Sequence, residues 1–303
     1  MNYPTRHPDG SPQHTGAPLQ SATGGVSVEG QTYLCVTYVP LELSCRRFFS
    51  PSLRQINSSG IGRAAAIRFA KEGASVTIHG QDAARLAETK KLITATGAPE
   101  NKIHVVRGPI EVDATQKALI DETVKKFGKL DVLVNSAGLM GKPGTPSNSI
   151  EAYDYVMNVN VRSIYQLTNL AAPHLEKTGG NIVNVGSVVS QAVVSTAIPY
   201  AVSKAALDHL TKNFASLLTP RGVRVNSVNP GIVRTQFLTR QGVPEAAAKK
   251  VYDNNGAKMT LVGRTGEADE QADLILYIAA PSTTFLSGSV IFNDGGQLVC
   301  SLK

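Results

Sequence analysis

The sequence has little cysteine and no long apolar stretch. Its 303 residues include three cysteines, Cys35, Cys45 and Cys300. Three scattered thiols are too few for a disulfide framework or a four-ligand zinc site, so we expect a reducing compartment and no metal. No run approaches the ~20 continuous apolar residues of a membrane helix, and the first residues lack the basic-then-apolar order of a secretory signal. The ending CSLK is not the SKL peroxisomal address, and we therefore expect a soluble, cytoplasmic protein.

Blocks of five or more like charges are also absent, although the formal net charge is +7. Nucleic-acid-binding arms concentrate basic residues, so we expect no nucleic-acid partner. Hydrophobic residues make up 42% of the chain, which suits one large core, and roughly 250 residues could form a single domain.

The chain divides into two parts near residue 55. Residues 1–55 mix Pro, Gly, Ser and Thr with one short β-branched stretch, and we expect this atypical segment to be partly disordered. In residues 56–303, short apolar runs alternate with amphipathic stretches. This alternation predicts one α/β domain with a Rossmann-like, doubly wound, mostly parallel sheet flanked by helices.

Tyr200 and Lys204 are the most informative pair of residues. They are four positions apart in YAVSK, so a helix would place both side chains on one face. A neighbouring cation favours the ionised phenol, and we expect it to lower the Tyr200 pKa toward values useful for acid–base catalysis. Ser187 follows the apolar run NIVNVG, which predicts a buried strand with the hydroxyl at its carboxyl end. Ligands bind at that edge of open parallel sheets.

Several further segments occur in the order typical of one enzyme family. Together they resemble the short-chain dehydrogenase/reductase family over roughly residues 58–296. The resemblance implies a seven-stranded sheet, an NAD(P) cofactor, and hydride transfer between nicotinamide C4 and a carbonyl carbon. The matching segments are SSGIGRAAA (58–66), VNSAG (134–138), VNVRS (159–163), GSVVS (186–190), YAVSK (200–204), VNPGIVRT (228–235) and VIFNDGG (290–296).

The same resemblance implies a role for each of four catalytic residues. Tyr200 would give a proton to the carbonyl oxygen, and Ser187 would orient the substrate. Lys204 would hold the nicotinamide ribose, and Asn160 would hold a water of the proton path. From the residues alone, Asn160 could equally be a buried amide that satisfies backbone groups.

Glycines at the start of the predicted first helix indicate a phosphate site. Gly60 and Gly62 would let the backbone approach a pyrophosphate at a positively polarised helix terminus, although a simple helix cap remains open. By resemblance, Thr235 would bond the nicotinamide carboxamide. The complete set of cofactor-binding candidates is Ser59, Gly60, Ile61, Gly62, Gln81, Asn135, Ala137, Gly138, Tyr200, Lys204, Pro230, Gly231, Ile232 and Thr235.

The end of the predicted second strand bears on cofactor choice. An acidic residue there takes the ribose hydroxyls of NAD and repels a 2′-phosphate. The strand ends His79-Gly80-Gln81, with no carboxylate before Asp82. We therefore expect NADP(H) to be favoured over NAD(H).

The chain departs from the family pattern before residue 58. The expected first strand is replaced by CRRFFSPSLRQIN (45–57), whose Pro51 cannot donate to a central ladder. Two interpretations remain open: TYLCVTYV (32–39) fills the central position before an unusually long loop, or the segment is a substituted leader and the first strand is missing. The second interpretation keeps an alternative function, a catalytically impaired relative that acts as a scaffold or oligomer partner.

The sequence gives weaker indications of the substrate and of the oligomeric state. Apolar residues near Ser187, and Phe237, Leu238, Val251 and Met259 in the variable region, would suit a small hydrophobic carbonyl or alcohol substrate, or could pack in the core. The resemblance implies a homodimer or homotetramer paired through helices at 150–175 and 199–218.

Overall fold

The computed structural model describes residues 32–36, 60–142 and 144–300. Nine strands and ten α-helices are formed by these residues. The strands are β1 (Thr32–Val36), β2 (Ser75–Gly80), β3 (Ile103–Arg107), β4 (Val132–Asn135), β5 (Asn181–Val185), β6 (Arg224–Pro230), β7 (Val233–Arg234), β8 (Gly266–Glu267) and β9 (Val290–Asn293). The helices are α1 (Ile61–Lys71), α2 (Ala83–Thr94), α3 (Asp113–Phe127), α4 (Ile150–Met157), α5 (Ser163–Glu176), α6 (Ile198–Leu218), α7 (Phe237–Arg240), α8 (Glu245–Lys250), α9 (Gly256–Met259) and α10 (Ala268–Ala279).

Seven strands form one parallel sheet in the order β3-β2-β1-β4-β5-β6-β9, and β7 pairs with β8 separately. The order reverses direction beside β1, which is the doubly wound arrangement that the alternating pattern predicts. The seven-stranded α/β prediction is therefore confirmed. Parallel strands place their carboxyl ends along one rim, where ligands of such sheets bind.

The central position of the sheet is occupied by β1. In the parallel register, Leu34 pairs with Thr77 of β2 on one side and with Leu133 of β4 on the other. The first strand is thus present, as the first of the two interpretations expects. The predicted disorder near the N-terminus and the unusual segment at 37–59, including Ser59, lie outside the described residues.

Helices cover both faces of the sheet. On one face, α1 packs against α10, and on the other α3, α5 and α6 lie over the strands. Strand β4 shows how alternation serves both layers: Val132 and Val134 belong to the first core, and Leu133 to the second. Side chains of successive strand residues point to opposite faces, so a continuous apolar run suits a strand buried on both sides. Within the described chain, no helix is long and apolar enough to cross a membrane.

Candidate active site

Helix α6 carries Tyr200 and Lys204 at its amino-terminal end. The helix begins at Ile198, and Pro199 in its first turn needs no amide partner there. Lys204 is only 4% exposed, and its Nζ lies 5.7 Å from the Tyr200 ring centroid. The ammonium donates a 2.7 Å hydrogen bond to the carbonyl of Val185, the last residue of β5. The helix therefore holds both functional groups at the carboxyl rim, as the i, i+4 spacing predicts.

Ser187 lies on the same rim, two residues beyond β5. Its backbone is extended, and its Oγ accepts a 3.3 Å hydrogen bond from the Val189 amide. The side chain also hydrogen-bonds to Tyr200. The ring of Phe237, from α7, lies 5.9 Å from the Tyr200 ring, centroid to centroid. Of the four apolar residues of the variable region, Phe237 therefore lies beside the Tyr200 phenol.

Asn160 is fully buried in a widened helical turn, Asn158–Arg162, between α4 and α5. Its Oδ1 accepts from the Leu139 amide at 3.0 Å, and its Nδ2 donates to the Leu139 carbonyl and the Ser203 hydroxyl, both at 2.9 Å. A Cβ built at Gly138 would lie 3.5 Å from both Asn160 Oδ1 and Lys204 Nζ. Asn160 thus satisfies backbone groups and also lies close to Lys204, while its water-holding role stays a prediction.

The pKa of Tyr200 is opposite to our prediction. Burial raises it to about 12, and the hydrogen bond with Ser187 lowers it only in part. The pKa of Lys204 falls to about 8, chiefly through burial, against the opposing attraction of Asp208. The sequence predicts the nearby cation but not the desolvation of both groups, because burial depends on the packed structure.

The glycine turn is described from Gly60 onward. Gly60 caps α1 with φ +150°, a conformation that favours glycine, and its carbonyl accepts from the Ala64 amide. Ile61 is the first helical residue and packs against the first core, and Gly62 is buried in the first turn. The amino terminus of α1 therefore lies next to the carboxyl rim, where an anion would meet its positive pole.

The carboxyl end of β4 supplies a further group of candidates. Asn135 is buried, and its Nδ2 donates to Asn184 Oδ1 at 2.8 Å, while its own Oδ1 accepts no hydrogen bond. Ala137 and Gly138 follow, with Gly138 beside Lys204 Nζ as above. A buried acceptor without a donor and an ammonium facing a glycine fit the ribose and nicotinamide half of a dinucleotide.

The segment after β6 is fixed by a residue that sequence reasoning missed. Gln297 Oε1 accepts from the Ile232 amide at 2.8 Å, and a Cβ at Gly231 would lie 2.7 Å from the same oxygen. Pro230 ends β6, and Thr235 Oγ1 accepts from the Phe237 amide at 3.1 Å, at the start of α7. The glycine is required by close packing, and the only sequence signal for Gln297 is its position after FNDGG.

Arginines lie near the end of β2, beside the exposed Gln81 and Asp82. Burial lowers the pKa of Arg240, and the positive charges of Arg85 and Arg63 lower it further. Asp82, the nearest carboxylate in the sequence, accepts from the Arg85 amide as the cap of α2. Sequence reasoning missed this group because its members come from α1, α2 and α7, which only the fold brings together.

Comparison with known proteins is consistent with this site. A family model described as "Enoyl-(Acyl carrier protein) reductase" matches residues 56–297. A 3-oxoacyl-[acyl-carrier-protein] reductase from Thermotoga maritima is 33% identical over 243 residues, which cover 80% of this chain and 95% of that protein.

Solved structures agree with this result. A short-chain dehydrogenase/reductase of unknown function from Caenorhabditis elegans, solved with cofactor, is 36% identical with a TM-score of 0.76, over 80% of this chain and 92% of the other. A 7α-hydroxysteroid dehydrogenase complexed with NADH and 7-oxo glycochenodeoxycholic acid is 30% identical with a TM-score of 0.69, over 82% and 94%. The chain therefore belongs to the short-chain dehydrogenase/reductase family and is an NAD(P)-dependent oxidoreductase acting on CH–OH groups.

Proposed function

We propose that this protein interconverts a carbonyl and a secondary alcohol, with Tyr200 as the general acid/base. The observation that carries the proposal is the meeting of Ser187, Tyr200 and Lys204 at the carboxyl rim. Ser187 hydrogen-bonds to Tyr200, and Lys204 Nζ lies 5.7 Å from its ring. Three groups from two elements converge on one small volume, which is what proton transfer to a bound carbonyl oxygen requires.

Each group has a separate task. In the reduction, Tyr200 donates its phenolic proton to the carbonyl oxygen, and Ser187 orients that oxygen. Lys204 holds the ribose hydroxyls and stabilises the phenolate that results. When bound, the cofactor supplies the hydride. Asn160 connects the Leu139 backbone with Ser203 and so supports the helix that carries the pair.

The protonation state favours one direction near neutral pH. Because burial raises the pKa of Tyr200 to about 12, the phenol carries its proton at pH 7. A protonated phenol is ready to act as an acid in carbonyl reduction, while alcohol oxidation needs the phenolate. We therefore infer reduction as the easier direction at neutral pH.

Cofactor preference follows from charge at the end of β2. Gln81 is exposed and carries no charge, and the positive charges of Arg85 and Arg63 act on Arg240, while Asp82 pairs with Arg85 and Glu88 with Arg63. A 2′-phosphate would relieve the repulsion among these arginines. These features support NADP(H) over NAD(H).

The substrate in this proposal is a small hydrophobic carbonyl or alcohol. The ring of Phe237 lies against Tyr200 and provides an apolar wall. Val188, the residue after Ser187, is buried. Two of the similar proteins named above are a 3-oxoacyl-[acyl-carrier-protein] reductase and a 7α-hydroxysteroid dehydrogenase, names that support a carbonyl or alcohol on an apolar molecule.

Apolar side chains on the helices expected to pair support a homodimer or homotetramer. Ile150, Tyr153 and Tyr165 are exposed on α4 and α5, and Val202 and Leu217 on α6. Exposed apolar surface of this kind favours association with a second copy. Light scattering that returned a monomer across the micromolar range would contradict this assignment.

The proposal is tested with the full chain in two steps. NADPH and NADH are first titrated separately while cofactor fluorescence is followed. Consumption of NADPH is then measured with aliphatic ketones, cyclic ketones, a steroid ketone and an acyl thioester. Binding with turnover supports the enzyme. Failure to bind either dinucleotide would favour the alternative of an impaired relative acting as a scaffold or oligomer partner, against which the central position of β1 argues.

A further inference from the structure

Asp208 is a buried carboxylate that the mechanism above does not use. It lies on α6 one turn beyond Lys204 and is 5% exposed. An isolated buried carboxylate is costly, so its partners indicate what it does.

Its partners belong to the end of β6 and to the loop that carries Ser187. Asn229 Nδ2 lies 2.9 Å and 3.0 Å from the two oxygens of Asp208, and Ser190 also hydrogen-bonds to the carboxylate. The same Asn229 amide lies 3.2 Å from the Ser187 carbonyl and 3.1 Å from Ser190 Oγ. The carboxylate therefore connects the catalytic helix with the loop that carries Ser187 and with β6.

The second neighbour is Lys204. Its ammonium donates to the Val185 carbonyl at 2.7 Å and not to Asp208, so the attraction between the two charges acts across a gap. In a buried region such an attraction is screened less than in water. Among the described residues, the charged or titratable groups around Lys204 are Tyr200 and Asp208 on its own helix. The widened turn Asn158–Arg162 and β5 contribute the neutral Asn160 amide and the Val185 carbonyl. Lys212 acts on Asp208 from the next turn.

We propose that Asp208 is a positioning residue for this site, which provides the counter-charge of the Lys204 ammonium and fixes α6 to the Ser187 loop. The inference rests on the proposed function, because it concerns the same lysine. It predicts that loss of the carboxylate lowers the pH at which Lys204 gives up its proton.

The dependence of folding stability on pH reports the protonation of Lys204 without any catalytic turnover. The Lys204 pKa is lowered from 10.5 to about 8 on folding, so between these values the unfolded chain binds one proton more. Stability gained from this group therefore rises with pH above 8. Melting temperatures of the full chain are measured from pH 6 to 10, and those of Lys204→Met are subtracted.

The melting temperatures of Asp208→Asn/Lys204→Met are likewise subtracted from those of Asp208→Asn at each pH. We expect the rise to begin about one pH unit lower than in the wild type. A rise that begins at the same pH in both pairs would overturn the proposal. With an active enzyme, kcat/KM of Asp208→Asn should fall about eightfold from pH 6.5 to pH 8, against about twofold in the wild type, because less Lys204 is charged.

A swap variant separates charge from hydrogen bonding and covers the case in which Asp208→Asn folds poorly. Asp208→Asn/Asn229→Asp keeps an amide facing a carboxylate but moves the charge to β6. We expect the fold to be recovered while the onset of the rise stays displaced from the wild-type pH. Full recovery of the wild-type profile would show that the negative charge need not stand at position 208 and would overturn the assignment of Asp208 as the counter-charge. If no carbonyl is reduced by any variant, the proposed function fails while the stability measurement still decides the role of Asp208.

Discussion

The proposed dinucleotide site has two ends, one around Tyr200 and the other around Gln81, and they differ in how they are built. At the Tyr200 end, four polar side chains are almost completely buried: Lys204, Asn160, Asn229 and Asp208. Their hydrogen bonds connect α6 with β5, with β6 and with the turn that carries Asn160. At the Gln81 end, Gln81, Arg85 and Arg240 are exposed, and of the three arginines from separate helices only Arg63 is buried, where it binds Thr89 and Glu88. Geometry therefore governs the first end and long-range electrostatics the second, so substitutions should have large, specific effects at one end and modest, salt-dependent effects at the other.

The largest effect should come from Tyr200→Phe. Removal of the hydroxyl takes away the proton donor, and we expect kcat for ketone reduction to fall by about 10²–10⁴-fold. Cofactor binding by fluorescence should change little. Tyr277→Phe on α10 is the matched control, since Tyr277 is 63% exposed and distant in the fold. Retention of activity by Tyr200→Phe would remove this residue from the mechanism.

Gly186→Ala tests how tightly the buried end is packed. A Cβ there would lie 2.0 Å from Asn229 Oδ1, the amide that holds Asp208. We expect a loss of about 1–3 kcal/mol in the free energy of unfolding, measured with urea. Gly141→Ala is the control, because a Cβ at that position meets nothing within 4 Å. Equal stability of the two variants would contradict tight packing at Gly186.

Cofactor choice should respond to charge at the exposed end. In Gln81→Asp, a carboxylate would repel a 2′-phosphate, and we expect the Kd for NADPH to rise about tenfold relative to that for NADH. Arg240→Gln should act in the same direction and more weakly. Arg221→Gln serves as the control because Arg221 pairs with Glu176, away from the carboxyl rim. Preference for NADH by the unmodified chain would overturn the NADP(H) assignment.

The smallest effect is the difference in pH dependence between the two reaction directions. Because the pKa of Tyr200 is about 12, the phenolate that alcohol oxidation needs becomes about a hundredfold more abundant from pH 7 to 9, while Lys204, with a pKa of about 8, loses about nine-tenths of its charge, so we expect oxidation to speed up about tenfold. Carbonyl reduction, which needs the phenol, should not gain over that range. Initial rates in both directions with one alcohol–ketone pair provide the measurement. An oxidation rate independent of pH would indicate that proton transfer to Tyr200 does not limit the reaction.

Local sequence patterns were sufficient to predict the fold class and the positions of several candidate site residues. Apolar runs alternating with amphipathic stretches predicted the parallel sheet, because strand and helix periodicities are local properties. The spacing of Tyr200 and Lys204 predicted one helix face. Ser187 was placed correctly at a strand's carboxyl end by the run NIVNVG that precedes it.

Other features required the tertiary structure. The pKa of Tyr200 rises rather than falls because burial outweighs the nearby cation, and burial depends on every element around the site. Gln297, Asp208 and the arginine group were missed because their partners lie tens to hundreds of residues away in the chain. The sequence by itself thus determined the elements, their order and the candidate catalytic residues. The tertiary structure decided that Thr32–Val36 completes the sheet and how desolvation shifts the pKa values of Tyr200 and Lys204, since both depend on contacts between residues distant in sequence.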